Sequence, residues 1–224
     1  MVPGMKLYFS PLACSLATRI ALYEANAEAS FVEVDGKTKK TSTGIDFATV
    51  HPLGLVPALE IEGGVVLTEN AAILQYIAER FPEAGLVPTD AFARVQLRQW
   101  LSFVSTELHK AVFVPLLDKT ASKDVKAYAL EKAEPRLRLV ADRLDGRDYL
   151  LDRFSVADAY LFAVLNWTVV TPVDLGPYPA IRAYQKRLRA RPSVDRAFGE
   201  ERILYAREVA GNAASAVWNA VVGR

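Results

Sequence analysis

The stretch Lys6-Leu7-Tyr8-Phe9-Ser10-Pro11-Leu12-Ala13-Cys14-Ser15 decides how this chain is read. Residues 6–9 read as a short buried strand and Ser10-Pro11 as a turn. From Ser15 the pattern is helical, with Leu16, Ile20 and Tyr23 near helical spacing. The only cysteine of the chain, Cys14, stands where that helix begins. A helix N-terminus presents unpaired N–H groups and the positive end of a dipole, and both favour a thiolate over a thiol. Cys14 is therefore a candidate reactive sulfur, although a lone cysteine taken by itself is more often a small buried hydrophobe.

Working outward, the helix is predicted over 15–27 and a second strand over 30–34, parallel to the first. Strand, helix and strand in about thirty residues form a βαβ unit with a right-handed crossover. Residues 35–44 are polar and predict a loop, and 44–50 a short irregular helix. Two short strands, 57–60 and 65–68, flank Glu62-Gly63-Gly64, where paired glycines accept φ > 0 and allow a tight hairpin. Thr68 is expected to cap a helix running to Arg80, buried through Ile73, Leu74 and Ile77. This order predicts a four-stranded mixed sheet with helices on both faces.

After Phe81 the texture changes. Pro82-Glu83-Ala84-Gly85-Leu86-Val87-Pro88-Thr89 reads as a linker. Helical periodicity then dominates, at about 90–117, 122–144, 156–170, 178–190 and 194–210. Ser155 and Asp158 have capping-box spacing, and Phe154 and Ala159 are placed for a hydrophobic staple. The expected organisation is an α/β domain over residues 1–82, a linker over 83–89 and an all-α domain over 90–224.

The bulk numbers agree with one large domain or two small ones. Of 224 residues, 51% are hydrophobic, and the net charge is +1. That balance points to neither nucleic acid nor an acidic membrane as partner. One cysteine makes no intrachain disulfide, so a reducing, cytoplasmic compartment is expected. No signal-peptide pattern opens the sequence, and no apolar run approaches the ~18–20 residues of a membrane span. Ala17 stands where a Cys-x-x-Cys motif would have its second cysteine, so any thiol cycle at Cys14 needs an external thiol.

Other signals are individually weak. In His51-Pro52-Leu53-Gly54-Leu55-Val56-Pro57 a cis bond before Pro57 would turn the Val56 backbone toward a peptide ligand, as a strand edge does. At Thr68-Glu69-Asn70, Glu69 suits a ligand ammonium, while Asn70 and the free helix amides suit a carboxylate. Lys37-Thr38-Lys39-Lys40 is a basic loop, solvated by default. His109 could donate to a sulfur or take its proton. The two histidines and one cysteine have no metal-ligand spacing, and no metal site is expected.

These features coincide in one arrangement. The chain resembles a bacterial cytosolic glutathione transferase of the beta class. The resemblance is carried by Lys6–Leu16, Thr38-Lys39-Lys40-Thr41, Pro52-x-Gly54-x-Val56-Pro57-Ala58, Leu67-Thr68-Glu69, Gln75-Tyr76-Ile77-Ala78, Thr106-Glu107-Leu108-His109-Lys110 and Val156-Ala157-Asp158-Ala159-Tyr160. It implies the glutathione transferase fold, with a thioredoxin-like N-terminal domain and an all-helical C-terminal domain, assembled as a homodimer. It implies glutathione as co-substrate, with Glu69 and Asn70 at the γ-glutamyl head, Val56 on the cysteinyl backbone and Lys39 at the glycine end. Cys14 would lie beside the glutathione sulfur, while His109, Thr106, Glu107, Leu108 and Ser102 approach from the second domain.

The expected activity is delivery of the glutathione thiolate to a small hydrophobic electrophile, with monothiol disulfide reduction through Cys14 as a variant. The electrophile should meet Leu12, Phe113 and Trp167. The alternative is a non-catalytic carrier of glutathione or apolar ligands, or a protein-interaction module. Four departures from the family pattern stand out. His51-Pro52-Leu53-Gly54-Leu55 replaces Asn-Pro-Lys-Gly-Gln, Asn70 replaces Gly or Ser, and Ser102 replaces Asn. The stretch Ala111-Val112-Phe113-Val114-Pro115 is one residue longer.

Overall fold

The computed structural model describes residues 4–222, with side chains described through residue 210. Strand β1 (Met5–Phe9) pairs in parallel with β2 (Ala29–Glu33), which sets Leu7 beside Phe31. It pairs antiparallel with β3 (Ala58–Glu60), which sets Leu7 opposite Leu59, and β4 (Val66–Leu67) continues antiparallel to β3. The sheet order is β2-β1-β3-β4, the mixed four-stranded sheet expected. Gly63 and Gly64 both take positive φ in the β3–β4 turn, a region closed to most other residues.

Side chains alternate along β1, so Leu7 and Phe9 face the main core with α1 (Ser15–Glu24) and α2 (Asn70–Arg80). Tyr8 faces the other way, into a smaller cluster with Val34, Phe47 and Ala58. Helices on both faces, as the sequence predicts, are therefore not found. Both α-helices share one face, and a 3-10 turn at Phe47–Thr49 covers the other with the fully buried Phe47. Backbone bridges Val34–Thr41 and Lys40–Asp46 fold this polar segment back on itself before it can extend into a helix.

The second half is helical: α3 (Ala91–Phe103), α4 (Val114–Leu117), α5 (Lys123–Leu144), α6 (Val156–Leu165), α7 (Pro179–Arg189) and α8 (Pro192–Val222). All ten residues of α6 are buried, and α1 packs on α2, α6 and α8. One continuous core thus joins the two halves through α1. Asp158 anchors α6. Its carboxylate accepts hydrogen bonds from the Leu150 and Ser155 N–H groups and from the Ser155 and Tyr184 hydroxyls, all at 2.9–3.0 Å. The C-terminal Trp218, to which the sequence assigns no role, lies outside the residues whose side chains are described.

Boundaries shift where local geometry intervenes. α1 stops at Glu24, and Asn26 takes positive φ just beyond it. Residues 166–170 of the predicted 156–170 helix tighten into a 3-10 turn. The predicted 90–117 helix is continuous, but Val104–Phe113 winds as a π-helix. Pro115 has no N–H for the usual ladder, and the Val114 N–H reaches back five residues to the His109 carbonyl. The wider turn takes up the extra residue between Ala111 and Pro115.

Candidate active site

Cys14 is the N-cap of α1 and is 7% exposed. Its Sγ–H donates to the Val56 carbonyl at 3.3 Å, and the Val56–Pro57 bond is cis. The turn before it is held from both sides. The Leu12 N–H donates to Glu201 Oε2 of α8 at 2.8 Å, and the Leu12 carbonyl accepts from Trp167 Nε1 at 2.9 Å. Burial pushes the Cys14 thiol up to about 12, against the smaller opposing pulls of Lys110 and of the Cys14 and Ser15 backbone amides. The expectation that the helix terminus makes Cys14 a thiolate is corrected here, because desolvation of the anion exceeds what those amides return.

His109 comes from the π-helical segment and is nearly as buried. Its Nδ1 lies 2.8 Å from the Tyr160 hydroxyl, and its ring centroid lies 4.9 Å from that of Trp167. Burial, with Lys110 adding, brings the imidazole down to about 4, so it is neutral at physiological pH. Burial also keeps Tyr160 a phenol, well above its usual range. In the tautomer where the Tyr160 hydroxyl donates to Nδ1, Nε2 carries the hydrogen and can donate; in the other, Nδ1 donates to the hydroxyl. Among charged side chains, the Lys110 ammonium acts most on Cys14 and adds to the lowering at His109.

Cys14 and His109 border two spaces at once. On one side lies a cleft of about 30 Å³ with His51, Leu55, Val56, Pro57, Glu69, Asn70, Ser105, Lys110 and Tyr160. On the other lies an apolar cavity of about 710 Å³, walled by Leu12, Val114, Leu117, Trp167, Val169, Val170 and Phe198. Leu12 and Trp167 therefore line it as expected. Phe113 does not, being fully buried behind Trp167 with ring centroids 5.8 Å apart.

The remaining expected ligand residues divide into four groups. Glu69 and Val56 reach the small cleft. Glu69 takes the N-cap position expected of Thr68, at φ 65°, ψ 112° and without a side-chain cap, a conformation that costs a non-glycine residue about 1–3 kcal/mol. Asn70 is engaged within the protein, since Nδ2 donates to the Cys14 carbonyl at 3.0 Å and Oδ1 accepts from the Thr18 hydroxyl at 2.8 Å. It brackets the start of α2 to the start of α1, leaving the first-turn amides of α2 for a carboxylate. Lys39 is exposed, and Gly54 sits beside its stem: a Cβ there would lie 3.5 Å from the Lys39 Cδ. Ser102 and Thr106 are exposed and linked to each other, Thr106 donating to the Ser102 carbonyl at 3.0 Å. Glu107 is paired with Arg136, and Leu108 is fully buried in the core, so none of these four borders either space.

Ser105, Lys110, Tyr160, Asn166 and Arg189 line the two spaces without having been singled out. Helical spacing could have flagged Ser105, one turn before His109. Only tertiary packing brings in the others. Among the described residues no three His, Cys, Asp or Glu side chains gather to hold a metal ion. No described helix is long and apolar enough to cross a membrane.

A mixed four-stranded sheet with a cysteine at its first helix packs on a helical second half, with Cys14 and His109 at the junction. Residues 3–79 match the model of the glutathione S-transferase N-terminal domain, and residues 103–192 that of its C-terminal domain. The chain belongs to the glutathione S-transferase family. Glutathione S-transferase GstA of Escherichia coli O157:H7 is 37% identical over 199 residues, 88% of this chain and 98% of that protein. The solved beta-class enzyme of Sphingomonas chungbukensis is 44% identical with a TM-score of 0.83, covering 88% of this chain and 98% of that one. A sphingomonad glutathione S-transferase solved with glutathione is similar at 45% identity, TM-score 0.83 and the same coverage.

Proposed function

We propose that this chain binds glutathione along the surface at the small cleft, with its sulfur beside Cys14 and His109, and delivers its thiolate to an apolar electrophile held in the 710 Å³ cavity. The observation that carries this reading is that Cys14 and His109 are shared by both spaces, so a sulfur placed beside them faces the electrophile directly. The donors and acceptors fit the tripeptide. Glu69 offers a carboxylate to its ammonium, the α2 amides suit its carboxylate, the Val56 backbone can pair with its cysteinyl unit, and Lys39 stands near for the glycine end.

The thiolate is the nucleophile, and a free thiol with a pKa of about 8.5 is mostly protonated at neutral pH. Lowering that value by two units corresponds to ~2.7 kcal/mol of preference for the anion. Lys110, the α1 amides and a hydrogen on His109 Nε2 are the groups placed to supply it. Cys14, held as a thiol, is itself a donor toward a neighbouring thiolate. When ionised it would instead attack the disulfide of a glutathionylated substrate, taking the glutathionyl sulfur into a mixed disulfide as the substrate thiolate leaves. A glutathione thiolate then releases Cys14 with glutathione disulfide as product, the monothiol reductase variant of the same site. The relatives are named as transferases, which supports catalysis over a non-catalytic carrier.

The reading extends to a division at residues 83–89 and to a homodimer, supported by the exposed Phe92 and Val95 one turn apart on α3. Retention on immobilised glutathione together with turnover of 1-chloro-2,4-dinitrobenzene is the expected outcome. Retention without turnover would favour the carrier, and no retention would overturn the assignment of the cleft.

A further inference from the structure

The apolar cavity contains one cation that its walls do not explain. Arg189, at the end of α7, lines it together with Asn166 and Phe198. The guanidinium carbon stands 3.9 Å from the centre of the Phe198 ring, and one Nη donates to Asn166 Oδ1 at 3.1 Å. No carboxylate among the described residues comes within ion-pair distance of it. Three arginines at junctions of the fold are paired: Arg19 with Glu200 and Glu201, Arg136 with Glu107, and Arg191 with Glu24. A guanidinium offers five N–H donors in a planar fork suited to a carboxylate, and here protein groups engage one of them.

We propose that the large cavity takes electrophiles bearing a carboxylate on an apolar or aromatic body, with Arg189 as the residue that anchors the carboxylate. The inference rests on the reading of this cavity as the electrophile pocket. Arg189, Cys14 and His109 all line this one cavity, so an anchored carboxylate and the reacting carbon share the same space. Arg189 is itself exposed at the cavity, so its donors are accessible and solvent partly screens the pairing. Of the other charged groups nearby, Asp118 also lines the cavity, but its carboxylate is exposed and accepts from the Thr120 N–H and hydroxyl, both at 2.7 Å. Burial and the like charge of Arg202 hold Arg189 below the ordinary arginine range, with the Asp195 carboxylate pulling the other way from beyond ion-pair distance.

Equilibrium dialysis of the whole protein, without glutathione, against 4-chloro-3-nitrobenzoate and its neutral isostere 4-chloro-3-nitrobenzamide tests this. The benzoate should bind about tenfold more tightly, as one charge-assisted contact implies. Arg189→Gln should bring the two ligands within about twofold of each other while leaving benzamide affinity unchanged, and Arg189→Lys should keep part of the preference. Equal affinity in the parent protein, a preference that survives Arg189→Gln, or equal losses for both ligands would each overturn the assignment. Because no glutathione is present, a failure here leaves the retention experiment untouched, and failed retention leaves this preference standing.

Discussion

The Cys14 sulfur and the Val56 carbonyl oxygen lie 3.3 Å apart, and this contact ties the first helix to the strand edge across the cleft. The thiol hydrogen occupies an acceptor that a bound peptide backbone could use. Cys14 is therefore a protonated, hydrogen-bonded side chain in the free protein, whatever its part in the reaction.

That state predicts slow alkylation. A thiol pushed up to about 12 is ionised on the order of one part in 10⁵ at pH 7, far below a free cysteine. Iodoacetamide labelling of Cys14, followed by intact mass, should be at least about 100-fold slower than that of free cysteine. Labelling at the rate of the free amino acid would contradict the burial described. Cys14→Ala should abolish any disulfide reductase activity and leave conjugation measurable.

His109 gives a stability signature at low pH. Its folded-state value of about 4 lies below the ordinary 6.5, so the unfolded chain binds the proton more readily. The stability this contributes is present above pH 6.5 and is lost as pH falls toward 4. Across that window the parent should lose on the order of 2 kcal/mol more stability than His109→Gln, seen as a larger drop in Tm. Parallel Tm curves for the two proteins would show that His109 is not desolvated as the structure has it.

Glu201 works in the opposite direction. Burial raises its carboxyl to about 8, with Arg19 and the Leu12 N–H pulling the other way. A raised folded-state value means that the contribution is present below about pH 4.5 and is lost as pH rises through 8. Glu201→Gln keeps an acceptor for the Leu12 N–H and removes the titration. Its Tm should gain on the parent as pH goes from 5 to 9, and an unchanged difference across that range would refute the assignment.

Asp158 should matter for folding and not for chemistry. Asp158→Ala leaves the Leu150 and Ser155 amides without their buried acceptor, at about 1–3 kcal/mol for each group left unsatisfied. Denaturant titration should show a loss on the order of 3 kcal/mol or more, with glutathione affinity per folded molecule retained.

Much of the architecture was legible because local pattern and global fold agree. The apolar run Leu7-Tyr8-Phe9 marked β1 as a buried strand, Gly63-Gly64 located the turn, and Ser155 with Asp158 located the start of α6. The misreadings have specific causes. Thr68 is a better cap by residue type than Glu69, yet the chain places Glu69 there at positive φ, where it reaches the cleft. The π-helical turn at His109 was signalled only by an extra residue and a proline, and helical periodicity is blind to a one-residue change of pitch.

The candidate site divides in the same way. Cys14, Val56, Glu69 and His109 carry motifs and were found in the sequence, and all four border the same small cleft. Asn70 looked like a ligand group by type and place, but it braces α1 against α2. Tyr160 and Arg189 lie 51 and 80 residues from His109 by number, on α6 and α7, and no spacing rule connects them.

What the sequence by itself determined is the order of strands and helices and the place of one sulfur, because short-range periodicity, glycine turns and capping residues act within a few positions. The protonation of that sulfur and of His109, the shared wall between two spaces, and the cation in the apolar cavity were decided by the tertiary structure alone. Desolvation and pairing depend on which side chains the folded chain packs around a group, and those come from distant segments.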